Sequence, residues 1–135
     1  MSNRVTRGNA LVGKMSSSDG GAGIFMKSAT VARTDTTAKT LFTLPAEASI
    51  EDITISGDTA SDAGTTATVS VGVTGTSNKF VNAQSVKTAG LAVPAAKSMG
   101  NVGSSQITVV GIYAETGTAS TTGGPWTIRV FYTLN

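Results

Sequence analysis

Ala67, Val69, Val71 and Val73 alternate with Thr66, Thr68, Ser70 and Gly72 along residues 65–73. A period of two with β-branched residues predicts a half-buried strand. The same alternation closes the chain at residues 126–134. Trp126, Ile128, Val130, Tyr132 and Leu134 share one face there, and Thr127, Arg129, Phe131 and Thr133 share the other. Between residues 106 and 114 the apolar set begins at Ile107 and Val109, then shifts phase to Val110, Ile112 and Ala114. Such a shift marks either a bulge or a strand buried on both faces.

Further strands are expected at 24–31, at 39–44 (ended by Pro45), at 48–55 and at 88–93 (ended by Pro94). Residues 79–85 fit neither period well and are read as a short strand or a helical turn. Turn residues fill 33–37, 57–64, 74–78 and 115–125, and 95–104 reads as loop. No segment carries a convincing helical pattern. About eight short strands with frequent turn signals predict an all-β fold, an antiparallel β-sandwich or jelly roll.

Residues 1–23 have a different texture. Arg4, Arg7 and Lys14 precede any acid, and Ser16, Ser17, Ser18, Asp19, Gly20, Gly21, Ala22 and Gly23 read as flexible linker. The chain is therefore divided into an extended N-terminal arm, 1–23, and a β domain, 24–135. The arm's apolar group, Ala10, Leu11 and Val12, is too short to bury much by itself. It suits anchoring to a partner surface, as a segment that orders on binding. A disordered tail is the other reading.

Composition narrows the chemistry. The sequence holds no Cys and no His, which removes thiolate nucleophiles, the usual Zn ligands and the Ser-His-Asp triad. No catalytic residue, cofactor site or metal site is assigned, and an enzyme is not expected. Aromatics are 5% of the chain, so the core must be aliphatic and thin, which favours oligomerisation or docking on a larger body. Charged residues make up 13% and the net is +2. Up to Arg33 five bases face one acid, while residues 34–62 hold six acids and one base. A basic arm and an acidic middle are suited to complement each other between neighbouring copies; separation by chance at such low charge is the other reading. Gly8, Gly13 and Lys14 approach a phosphate-binding loop, but Met15 stands where a hydroxyl is needed and no strand precedes it. Asp58 and Asp62, with Glu51 and Asp52, match no calcium-loop spacing. Basic and aromatic residues interleave only at Lys79–Phe80 and Arg129–Phe131, so no nucleic-acid partner is expected. No stretch approaches the ~20 apolar residues of a membrane helix or forms a secretory leader, so no membrane partner is expected and synthesis in a cytoplasm is. Phe131 lies opposite Trp126 and Tyr132, which makes it a candidate for a second packed face or a subunit contact.

Three segments together carry a resemblance. They are TVARTDTTAKTLFTLPA from Thr30, VSVGVTGTSNKFVNAQSVKTAG from Val69, and WTIRVFYTL from Trp126. In texture and order they resemble tailed-bacteriophage head decoration, or capsid cement, proteins. The resemblance covers the chain from Thr30 onward and includes no catalytic signature. It implies a non-enzymatic virion protein that binds the capsid exterior, with the major capsid protein as partner, and is made in the host cytoplasm. It also implies a homo-oligomer, with a trimer preferred and a dimer as the other arrangement. The expected contact residues are Arg4, Arg7, Leu11, Val12 and Lys14 on the arm, and Arg129 and Phe131 on the last strand. The rival reading is a receptor- or glycan-binding head-fibre or tail-knob module, which requires aromatic platforms on exposed loops.

Overall fold

The computed structural model describes residues 23–92 and 100–134, with the side chains of Leu91 and Ala92 left aside. The expected arm lies outside the described residues, apart from Gly23. Among the described residues all the regular structure is strand: β1 (Phe25–Val31), β2 (Lys39–Leu44), β3 (Ala48–Gly57), β4 (Thr66–Val73), β5 (Thr76–Ser85), β6 (Gly90–Ala92), β7 (Ile107–Thr116) and β8 (Trp126–Leu134). β6 has only three residues; the other seven have six to ten.

The strands form two antiparallel sheets. The first has the order β1-β8-β3-β6 and the second β2-β7-β4-β5. Alternation decides which residues face the gap between them. From the first sheet come Val31, Ile50, Ile53, Ile55, Trp126, Ile128, Val130 and Tyr132; from the second come Leu44, Val69, Val71, Val81, Val109 and Tyr113. All belong to one continuous core, so each sheet is covered by the other. Tyr113 on β7 stacks on Trp126 on β8, with ring centroids 5.2 Å apart and planes 6° apart. This pair joins the two sheets.

Irregular pairing explains where a simple period fails. On β3 the register against β8 shifts between Ile50 and Asp52, so Ile50 and Ile53 both face inward although three positions apart. On β5 the register against β4 shifts twice, and adjacent Phe80 and Val81 are both buried. Residues 79–85 therefore lie in a strand, and their ambiguous pattern follows from these bulges. β7 runs against β4 without a break, and the bulge facing it lies on β2 between Thr40 and Phe42. Val109 and Val110 are buried on opposite faces of β7, so the phase shift reflects burial on both sides. Val110 pairs with Gly72, and there the β4–β5 hairpin curls closely enough that the backbone of Thr76, Ser77 and Lys79 lies against Gly72. The turn expected over 74–78 is shorter than that: β4 and β5 are joined by Thr74 and Gly75 alone, with Gly75 at φ 88°.

At the corner between sheets, β1 and β2 lie side by side as edge strands. Lys27 Nζ donates to the Thr43 carbonyl at 2.7 Å, and Lys39 Nζ donates to the Thr30 carbonyl at 2.8 Å. Two amines thus occupy edge carbonyls that would otherwise invite another strand.

Candidate interaction surface

The strand pairing builds the outer face of the first sheet as a grid with β8 in its middle. Thr127 sits between Thr30 and Ser56, Arg129 between Ser28 and Thr54, and Phe131 between Met26 and Asp52. Period two sends these residues outward because Trp126, Ile128, Val130 and Tyr132 point into the core. One end of the face is apolar. Met26 is 49% exposed, beside half-buried Phe131, and is preceded by Ile24 and Phe25, 68% and 43% exposed. Phe25 stacks on Tyr132 at 5.6 Å, and Leu134 is also exposed. Met26 is the exposed apolar residue of the outer face beside Phe131, while Phe25 and Leu134 fall in the row of Tyr132 on the opposite side of the sheet, so the exposed apolar side chains gather at one end of the sheet.

The other end is polar. Ser56, Gly57, Asp58, Thr59, Gly90, Gly124, Pro125, Thr127 and Arg129 line a groove of about 520 Å³. Arg129 Nη1 donates to Ser56 Oγ at 3.0 Å, which turns the half-buried guanidinium toward the groove. Thr133 Oγ1 donates to Glu51 Oε2 at 3.2 Å along the apolar end.

A second feature holds the loops at one end of the sandwich. Asp62 accepts from Thr121 N at 2.8 Å, Thr121 Oγ1 at 2.8 Å and Thr122 N at 3.0 Å. Glu115 accepts from Tyr113 Oη at 2.8 Å, from Ser120 N at 2.9 Å and from Ser120 Oγ. Arg33 Nη1 donates to the Ser120 carbonyl, and Ser61 Oγ and Tyr113 Oη are 2.7 Å apart. The backbone donor of Thr122, then the hydroxyl and amide of Thr121, hold the Asp62 carboxyl far below the usual carboxylate range. The Ser120 hydroxyl and amide, then the Tyr113 hydroxyl, lower that of Glu115. Asp62 and Glu115 serve as loop clamps on residues 120–122, whereas Asp58 lines the groove and Glu51 accepts from Thr133 on the neighbouring strand.

Of the residues singled out in the sequence, the structure brings Arg129 and Phe131 together on this one face. Arg4, Arg7, Leu11, Val12 and Lys14 lie outside the described residues. The alternation placed Thr127 beside Arg129 on one strand face, but the sequence pattern did not reveal Ser56, Asp58 and Thr59 as its neighbours. The loop–strand junctions that assemble the groove are about 70 residues apart in the chain, and no local period reports that.

No family model matches the sequence, and no curated protein sequence does. Solved structures do match in fold. A chain in the capsid asymmetric unit of cyanophage Pam1 aligns with a TM-score of 0.67 and 22% identity, over 93% of this chain and 94% of that one. A chain in the acidic stable capsid structure of Helicobacter pylori bacteriophage KHP30 aligns with a TM-score of 0.58 and 19% identity, over 82% of this chain and 87% of that one. At these identities the likeness is one of fold alone.

Proposed function

We propose that this chain is a non-enzymatic structural protein of a phage virion, a decoration or cement protein that binds the outer surface of the head. The observation that carries this reading is a likeness of fold to chains from two phage capsids that spans 93% of this chain in one case and 82% in the other. The likeness is matched in size, so what is shared is a whole small body. The sheet order supports the reading. Successive strands pass between the sheets at every step except β4 to β5, and the pairs β1-β8-β3-β6 and β2-β7-β4-β5 wrap as a jelly roll, an architecture common in viral capsid domains. The partner in this reading is the major capsid protein. The docking surface is the outer face of the first sheet, with Arg129 and Phe131, helped by Arg4, Arg7, Leu11, Val12 and Lys14 on the arm. A homo-oligomer, a trimer in preference to a dimer, adds contacts that a single body of this size lacks.

The glycan-binding alternative requires aromatic side chains on exposed loops. All seven aromatics of the sequence, Phe25, Phe42, Phe80, Tyr113, Trp126, Phe131 and Tyr132, lie within strands, and Trp126 is 2% exposed. That distribution counts against a glycan platform. Sedimentation of purified protein with heads lacking it tests the proposal. Saturable co-sedimentation at a fixed number of copies per head supports it, and protein that stays in the supernatant contradicts it.

A further inference from the structure

We propose that the polar groove on the outer face of the first sheet is a socket for a carboxylate side chain, Asp or Glu, presented by a segment of the shell protein. The inference rests on the docking reading above and names its chemistry. A guanidinium carries five N–H donors in a rigid fork. Among the described residues, Arg129 gives one of them to Ser56 Oγ, and the single ion pair is Lys39–Asp35 elsewhere. Arg129 is therefore a half-buried cation with no carboxylate on it, held in place by a hydroxyl. Its β-ladder neighbours, Ser28 and Thr54, are short, and Ser56 on the flanking β3 holds the guanidinium through one hydrogen bond.

The walls favour the same ligand. Ser56, Thr59 and Thr127 offer hydroxyls, and Gly57, Gly90 and Gly124 have no side chains to close the space. The groove, about 520 Å³, exceeds what a single small anion fills and accommodates a side chain with its flanking backbone. Asp58 stands on the same wall. Its charge disfavours an anion in the groove, so the carboxylate is held by Arg129 against Asp58 and removing the Asp58 charge is expected to strengthen binding. An Arg fork binds a carboxylate through two parallel hydrogen bonds, whereas Lys offers only a point charge.

The test uses the full chain and heads lacking it, with binding measured by sedimentation at low and moderate salt. R129Q is expected to bind about tenfold more weakly than wild type, the loss of one charge-assisted contact. R129K falls between the two, S56A shows a smaller loss, and D58N binds at least as tightly as wild type. If R129Q fails to fold by thermal melting, R129K and S56A carry the same comparison. Wild type that binds heads while R129Q, R129K and S56A bind equally well overturns the socket and leaves the docking reading standing. Wild type that leaves the heads bare overturns both. Competition by free acetate at millimolar concentration, with head binding of R129Q unimpaired, assigns the groove to small carboxylates and overturns the polypeptide ligand.

Discussion

Tyr113 and Trp126 stack 5.2 Å apart across the two sheets, and Tyr113 also carries the hydroxyl that meets Ser61 and Glu115. One aromatic pair therefore ties the core to the loop clamp. Truncating Trp126 to Ala removes the largest buried side chain and leaves Tyr113 without its stacking partner. The expected loss is about 3–5 kcal/mol. Tyr113→Phe keeps the stack and removes the hydroxyl, with an expected loss of about 1–2 kcal/mol. Chemical denaturation of the two variants checks the order; equal losses would mean that the hydroxyl matters as much as the stack.

Acid should loosen the loop end first. Asp62 and Glu115 have carboxyls below their ordinary range in the folded protein because hydrogen-bond donors favour the charged form. Groups of this kind bind more protons when unfolded, so their stabilisation is complete above the unfolded values, about 3.9 and 4.3, and is lost as pH falls through the folded ones. Melting temperature is expected to be insensitive to these two acids above about pH 5 and to decline below about pH 4. Asp62→Asn should melt lower than wild type at neutral pH, and the gap should narrow in acid. A gap that stays constant down to the acid limb would show that the Asp62 charge does not act through these bonds.

The β4–β5 hairpin offers two opposite substitutions. A Cβ on Gly72 would sit 2.1 Å from the Thr76 carbonyl oxygen and 2.7 Å from Lys79 N, both backbone atoms that cannot step aside. Gly72→Ala is expected to destabilise by about 1–3 kcal/mol. Ala83 has φ 58°, where a side chain is strained, so Ala83→Gly is expected to stabilise by about 0.5–1 kcal/mol. Thermal melts of both variants decide the matter, and a stabilised Gly72→Ala would refute the account of the curled hairpin.

Much of the fold was legible because its strands keep a strict period. β8 begins and ends where the alternation does, and β2 ends at Leu44, where Pro45 stops it. Legibility failed where pairing is bulged. Phe80 and Val81 are adjacent and both buried, a pattern that belongs to neither a regular strand nor a helix. The outward placement of Arg129 and Phe131 was readable from their phase against Trp126 and Tyr132. Their surroundings were not. Ser56 lies 73 residues from Arg129, and Thr121 lies 59 from Asp62, so the sheet topology alone brings these side chains together.

The arm yields a prediction that is independent of the sheet. Removing residues 1–23 leaves β1 to β8 and the whole described core in place. The truncated protein is expected to melt close to the full chain and to bind heads more weakly. Undiminished occupancy of heads by the truncated protein would remove Arg4, Arg7, Leu11, Val12 and Lys14 from the docking.

The central claim, that this body docks on the exterior of a phage head, is tested most directly by electron cryo-microscopy of the particle. The account predicts two-sheet density at symmetric positions on the outer surface, oriented with Arg129 and Phe131 toward the shell. Density for the chain at the tail tip, inside the shell, or with that face turned to solvent would contradict it.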